Sequence, residues 1–96
     1  MAEKARTHIF VSGRVQGVLY RRGAQKKAQA LGITGFAHNL ADGRVELMAE
    51  GDKEGIEQLM KWCKEGTPMA KVDRLDSQFE DYKGEFADFE IREFGF

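Results

Sequence analysis

Hydrophobic and polar positions along the first third of the chain change from a strand pattern to a helical one. Residues 7–12 carry apolar side chains on both faces of an extended segment, which predicts a central strand. Ala24 and Leu31 then lie two helical turns apart, with mostly polar residues between them. We therefore expect a helix over residues 21–31, followed directly by Gly32 as a C-terminal cap.

The middle of the chain has the pattern of a β-hairpin. Residues 35–40 predict one strand, and residues 44–50, in which apolar and polar side chains alternate, predict its partner. The Asp42-Gly43 pair between them is a hairpin turn signal. Strands joined by so short a turn pair antiparallel.

A second helix and two further strands complete the pattern. Asp52 is placed to cap a helix with one apolar stripe, which ends near Gly66. Residues 71–79 predict a strand whose apolar positions break strict alternation, so we expect a bulge or bend there. A short edge strand is expected around Phe89 and Ile91.

The resulting element order is β-α-β-β-α-β plus one short strand. This order predicts an α+β fold, a ferredoxin-like sandwich in which an open, mostly antiparallel sheet carries two helices on one face plus a short fifth strand. No linker, repeat or low-complexity segment divides the sequence, so we expect residues 1–96 to form a single domain. The connection between the first strand and the first helix would then lie at one edge of the sheet, with the hairpin strand close by.

Composition and charge narrow the possible functions. The chain has 96 residues, a net charge of −1 and a single cysteine, Cys63, so we expect no intramolecular disulfide framework and a cytoplasmic location. We also expect a monomer. Residues 1–30 hold seven Lys or Arg and one acid, whereas residues 31–96 hold eight and fifteen. A local positive field is therefore expected near the first helix, but the overall balance argues against a nucleic-acid partner. No run is long and apolar enough to cross a membrane, so no membrane partner is expected.

The most informative segment joins the first strand to the first helix. Residues 13–21 read Gly-Arg-Val-Gln-Gly-Val-Leu-Tyr-Arg, with Gly13 and Gly17 in the loop and Arg21 where the helix begins. Glycines let a backbone approach an anion closely, a helix N-terminus presents free N–H groups, and a guanidinium can bind two phosphate oxygens. The combination favours a phosphate-sized anion. An ordinary strand-to-helix turn with a surface arginine is the alternative.

Asn39, beside the hairpin turn, is the second candidate. An amide can donate to one oxygen and accept from another, so it can orient a water molecule. The alternative is that Asn39 caps the turn. An anion-binding loop and a water-orienting amide on a neighbouring segment would together make a hydrolase. No cluster of His, Cys or Asp has metal-ligand spacing, so neither a metal nor another cofactor is expected.

Two segments resemble the signatures of one enzyme family. Residues 13–21 are similar to the first signature of the acylphosphatases. Residues 35–46, Gly-Phe-Ala-His-Asn-Leu-Ala-Asp-Gly-Arg-Val-Glu, are similar to the second. The resemblance extends from about residue 7 to the C-terminus in length and element order. It implies metal-independent hydrolysis of the carboxyl–phosphate mixed anhydride of an acyl phosphate to a carboxylate and inorganic phosphate.

The resemblance also implies a role for each site residue. Arg21 would bind the phosphate of a small-molecule acyl phosphate, and Asn39 would position the attacking water. Backbone amides of the loop would hold phosphate oxygens. The residues implied in phosphate binding through this loop are Val15, Gln16, Gly17, Val18, Leu19 and Tyr20.

Two positions and two other functions are left open by the sequence. Tyr20 stands where the family commonly has phenylalanine, which should be tolerated if its hydroxyl reaches solvent. Arg22 adds a charge beside Arg21, either attracting the anion or lying on the exposed helix face.

A binding module that holds phosphate or an acyl phosphate without hydrolysing it is one alternative function. A nucleic-acid-binding sheet is the other, and the acidic second half disfavours it.

Overall fold

The computed structural model describes residues 3–93, which form one five-stranded sheet with two helices on one face. The elements are β1 (Lys4–Arg14), α1 (Tyr20–Ala30), β2 (Thr34–Asn39), β3 (Val45–Asp52), α2 (Lys53–Glu65), β4 (Lys71–Glu80) and β5 (Phe89–Arg92). The strand order is β4-β1-β3-β2-β5, and every pair is antiparallel except β2 with β5. The predicted ferredoxin-like α+β fold is therefore confirmed, including its short fifth strand.

The hydrophobic core lies between the sheet and the helices. Alternate residues of β1 and β3, such as Ile9, Val11 and Leu47, are fully buried on the face that the helices cover. Ile56 and Leu59 form part of the buried stripe of α2 that packs against them. In helices this short, burial of an apolar face contributes more to stability than intrinsic helix propensity does.

The element bounds differ from the sequence prediction by up to three residues. β1 begins at Lys4 instead of residue 7, because Lys4 pairs with Asp52 at the far end of β3. Helix α1 begins and ends one residue earlier than predicted, at Tyr20 and Ala30. Such differences arise because strand length depends on the pairing partner, which no local pattern contains.

Asp52 occupies the N-cap position of α2, as predicted, but its side chain does not cap the helix. Its Oδ1 instead accepts a hydrogen bond from Lys4 Nζ at 2.7 Å. Strand β3 continues to Asp52 itself, so the carboxylate lies across from its neighbour in β1.

The irregularity predicted in the fourth strand is present, and it explains why residue 13 is a glycine. Pairing between β1 and β4 shifts between Ser12 and Gly13, which leaves Asp73 as the extra residue of a β-bulge. A Cβ atom on Gly13 would lie 2.1 Å from the carbonyl oxygen of Lys71, and its φ is +124°. Gly13 is therefore required for the close contact of two strands, not for the anion loop to which the sequence assigned it.

The segment between β4 and β5 covers the sheet face opposite the helices. Glu50 of β3 is fully buried there and accepts hydrogen bonds from the backbone N–H groups of Lys83, Gly84 and Glu85 at 2.8, 3.1 and 3.0 Å. Arg6 donates to Glu50 at 3.2 Å. Burial raises the pKa of Glu50, but these hydrogen bonds outweigh it and hold the pKa below its usual value.

Candidate functional site

The loop between β1 and α1 is attached to two other parts of the chain. Gln16 Nε2 donates to the carbonyl oxygens of Leu40 at 2.8 Å and Arg44 at 3.0 Å, which ties the loop to the β2–β3 hairpin. Thr67, which follows α2, donates through Oγ1 to the carbonyl oxygen of Val18 at 2.7 Å. These bonds fix the position of the loop relative to the hairpin and to α2.

Two residues of the loop have left-handed backbone conformations. Gly17 has a φ of +74° and Leu19 a φ of +62°. The side chains of Val15 and Val18 are buried in the core, which fixes the path of the backbone between them. The carbonyl oxygen of Leu19 accepts from the N–H of Gly23 at 3.0 Å and so begins the helix.

The backbone N–H groups of residues 15–20 have no hydrogen-bond acceptor in the described part of the chain. Within residues 3–93, none of them donates a hydrogen bond to another protein atom. Unpaired N–H groups are normal at the start of a helix, and here the run begins before the helix, at Val15. Free N–H groups at the start of a helix form a favourable environment for an anion.

Arg21 lies in the first turn of α1, with 23% of its side chain exposed. Its Nη1 donates to the carbonyl oxygen of Arg92 at 3.0 Å and lies 3.6 Å from Glu93 Oε2. The Glu93 side chain is largely exposed, so this ion pair is weak. Arg21 contributes to a pocket of about 280 Å³ that is also lined by the loop and by Ile91 of β5. Arg22 is exposed on the helix and also lines this pocket, so its position fits both predicted roles.

Asn39 is the last residue of β2 and pairs with Val45 of β3. Its Oδ1 is buried and accepts no hydrogen bond from the described part of the chain. The turn is capped by Asp42, whose Oδ1 accepts from the N–H of Arg44 at 3.1 Å. The alternative role of Asn39 as a turn cap is therefore not supported, and its amide is available for another partner.

Two contacts bring Asn39 and the loop to the same end of the sheet. Gln16 binds the carbonyl of the residue after Asn39. Arg21 binds the carbonyl of Arg92, which pairs with the residue before Asn39 in the parallel β2–β5 ladder. The predicted proximity of the loop and the hairpin is therefore present.

Tyr20 does not reach solvent, contrary to the condition expected for a tyrosine at this position. Its side chain is 1% exposed, and its hydroxyl donates to the carbonyl oxygen of Cys63 at 2.6 Å. Burial raises the pKa of Tyr20, so the phenol stays neutral. The tyrosine is tolerated because α2 supplies an acceptor for its hydroxyl.

Burial also raises the pKa of the Cys63 thiol, to about 12, as expected for a core cysteine.

The two histidines bind a single carboxylate on the sheet face away from the loop. His8 and His38 each contact one oxygen of Glu46 through Nε2. Burial raises the pKa of Glu46, but the hydrogen bonds from His38 and His8 lower it to a net value below its usual range. The contact gives both histidines a structural role in the sheet.

Sequence reasoning missed the side chains that hold the site together. Thr67 is 49 residues from Val18, and Gln16 is 24 residues from Leu40, so no spacing pattern relates them. Nothing in the local sequence indicates that a polar residue in a glycine loop, or a threonine after a helix, binds a distant carbonyl oxygen. Only the folded chain brings these donors to their carbonyl acceptors.

In the chain from residue 3 to residue 93, no group of three or more His, Cys, Asp or Glu side chains is arranged to hold a metal ion. Neither helix of this part of the chain has the length and apolar character needed to span a membrane.

Several known proteins that are similar to this chain belong to the family whose signatures the two motifs resemble. The acylphosphatase family model matches residues 7–91. An acylphosphatase of Methylococcus capsulatus is 51% identical over 86 residues, which cover 90% of this chain and 94% of the relative. The structure of an acylphosphatase from Coxiella burnetii has a TM-score of 0.88 and 38% identity, covering 93% of both chains. The structure of an acylphosphatase from Bacillus subtilis has a TM-score of 0.89 and 32% identity, covering 92% of this chain and 98% of the other. This chain belongs to the acylphosphatase family.

Proposed function

We propose that this protein hydrolyses acyl phosphates, with the phosphate held by the N–H groups of residues 15–20 and by Arg21 and the attacking water oriented by Asn39. The observation that carries the proposal is the run of N–H groups beside Arg21, at the same end of the sheet as Asn39 Oδ1; within residues 3–93 neither these N–H groups nor this oxygen has a hydrogen-bond partner. Family membership supports the reaction type.

The reaction needs positioning and charge stabilisation more than a strong base. The water oxygen attacks phosphorus, the bond between phosphorus and the acyl oxygen breaks, and the carboxylate leaves with the bonding electron pair. One proton of the water passes to a phosphate oxygen, so the products are a carboxylate and inorganic phosphate. A carboxylate is a good leaving group, so no side chain has to protonate it. Preorganised donors around the phosphoryl oxygens supply the main stabilisation of the transition state.

Arg21 supplies the fixed positive charge. Its bond to the Arg92 carbonyl uses one guanidinium N–H and orients the group, leaving the other N–H groups for phosphate oxygens. Each charge-assisted hydrogen bond contributes about 1.5–3 kcal/mol. A phosphate would displace Glu93 from Arg21, which costs little because that carboxylate is exposed.

Asn39 acts on the nucleophile. Its buried Oδ1 can accept a hydrogen from water and hold the water oxygen toward the phosphate. A neutral amide suits this place, because a carboxylate would repel the substrate's negative charge. Misplacement of a reacting group by about 1 Å costs about 10²-fold in rate, which sets the expected contribution of this contact.

The first experiment measures hydrolysis of benzoyl phosphate by the wild type, Arg21→Ala and the matched control Arg22→Ala, with and without a chelator. We expect kcat/KM to fall by about 10²–10³-fold in Arg21→Ala, the cost of a lost oxyanion-type donor. Arg22→Ala should change it by less than about threefold, the effect of one exposed charge. The chelator should have no effect, since the proposed reaction uses no metal. Equal losses in the two variants would contradict the specific role of Arg21.

The second experiment separates binding from hydrolysis. In Asn39→Ala we expect kcat to fall about 10²-fold while the affinity for inorganic phosphate, measured by calorimetry, stays within about twofold. Full turnover in this variant would exclude water positioning by Asn39. A wild type that binds phosphate through Arg21 but hydrolyses nothing would be a binding module instead. The cytoplasmic location and the monomeric state stay predictions, and size-exclusion chromatography tests the latter.

A further inference from the structure

Leu19 combines an exposed apolar side chain with an unfavourable backbone conformation. Its side chain is 70% exposed, whereas Val15, Val18 and Tyr20 around it are buried. Its φ of +62° and ψ of +22° are left-handed, and Leu19 is the one non-glycine residue between residues 3 and 93 with a positive φ. Asn or Gly would occupy this conformation at lower cost. Single exposed leucines are common, but a leucine that also imposes backbone strain needs a separate reason.

The position of Leu19 supplies that reason. Its side chain lines the pocket of about 280 Å³ that also contains Arg21 and Gly17. Ile91 of β5 lines the same pocket and is half-buried. The pocket that is lined by the loop and by Arg21 therefore also has an apolar wall.

The pocket is larger than a phosphate group. At about 30 Å³ for each water-sized group, the four oxygens of a phosphate fill roughly 120 Å³. An acyl phosphate bound through its phosphoryl oxygens would extend its acyl group through the one remaining oxygen, along the wall of the same pocket. Val15 and Tyr20 also line the pocket but are buried, so its accessible apolar surface is formed by Leu19 and Ile91.

We propose that Leu19 is a specificity residue that contacts the acyl group and favours acyl phosphates with an apolar or aromatic acyl chain. The inference rests on the proposed function. Apolar contact with a part of the substrate that does not react stabilises the bound substrate and the transition state alike. Its loss therefore raises KM for apolar substrates, with little effect on the rate of the chemical step.

The test compares two substrates in two variants. Leu19→Asn keeps the shape of the side chain, removes its apolar character and suits the left-handed backbone. Leu19→Gly removes the side chain and suits the backbone as well. For each protein we measure kcat/KM for benzoyl phosphate and for acetyl phosphate, and form their ratio. Both variants should lower this ratio about fivefold, through KM for benzoyl phosphate, which corresponds to partial burial of one leucine side chain.

Met69 provides a matched control. It is also 70% exposed but does not line this pocket, so Met69→Asn should leave the ratio unchanged. Thermal melting of both Leu19 variants should show no loss of stability, which separates an effect on substrate from an effect on folding. An unchanged ratio in an active enzyme would overturn the inference alone. An equal loss for both substrates would also overturn it, because it would indicate altered loop geometry. A wild type inactive on both substrates would overturn the proposed function and this inference with it.

Discussion

Replacement of Glu50 by glutamine tests how the segment between β4 and β5 is held on the sheet. One carboxylate oxygen, Oε2, accepts from Arg6 Nη1 at 3.2 Å and from the N–H groups of Lys83 and Gly84 at 2.8 and 3.1 Å. The other, Oε1, accepts from the N–H of Glu85 at 3.0 Å. All four donors therefore converge on one fully buried charge.

A glutamine can keep only part of this arrangement. With its carbonyl in the position of Oε2 it retains three acceptor contacts, but its NH₂ group then faces the N–H of Glu85. One hydrogen bond to a charged group is lost, at a cost of about 1.5–3 kcal/mol, and a buried donor is left unpaired. Arg6 loses the full charge of Glu50 but keeps Glu80 and Glu85 as partners. We expect Glu50→Gln to lower the free energy of unfolding by about 2–4 kcal/mol at pH 7.

The difference in the free energy of unfolding between the wild type and Glu50→Gln should become smaller as the pH falls. Because the pKa of Glu50 is lowered in the folded state, its charge contributes stability above the unfolded-state pKa, which is about 4.3. That contribution is lost as the pH falls from about 5 through the folded-state pKa. Urea unfolding at several pH values should therefore show wild type and variant converging in acid.

A surface substitution supplies the control. Glu57→Gln, on the exposed face of α2, should change the free energy of unfolding by less than about 0.5 kcal/mol at any of these pH values. A Glu50→Gln protein as stable as the wild type at pH 7 would refute the reasoning. So would a stability difference that persists unchanged at pH 3.

Three further substitutions test individual contacts. Gln16→Ala should lower kcat/KM for benzoyl phosphate about tenfold and stability by about 1–2 kcal/mol, because the loop loses both bonds to the hairpin; an unchanged kcat/KM would contradict this. Tyr20→Phe should lower the melting temperature by about 4–8 °C through loss of about 1 kcal/mol at the buried Cys63 carbonyl, and an unchanged melting temperature would show that water replaces the hydroxyl. Gly13→Ala should destabilise by at least about 2 kcal/mol in urea, since its Cβ would lie 2.1 Å from the Lys71 oxygen; a neutral effect would mean that the bulge shifts freely.

Local patterns in the sequence determined the element order and the two motifs. Strand and helix periods, glycines after helices and a hairpin turn pair each act within a few residues, so a short window contains the whole signal. The unpaired N–H groups after Gly17 are also a local feature of the sequence, because a glycine loop that enters a helix leaves such donors without an intrahelical partner wherever it occurs. The glycine loop and the hairpin turn indicated Arg21 and Asn39 as candidates, the family resemblance implied their roles, and those roles stay predictions.

The tertiary structure alone decided which partner each polar group has. The Gln16 side chain binds the hairpin, the hydroxyl of Tyr20 binds α2 instead of solvent, and Gly13 serves the contact between β1 and β4. Glu50 had the pattern of an alternating polar position, yet it is fully buried. A hydrogen bond depends on distances of a few tenths of an ångström between residues that are far apart in sequence, whereas a helix or strand period depends on near neighbours. The sequence therefore determined the elements and the candidate site, and only the folded chain decided what holds that site in place.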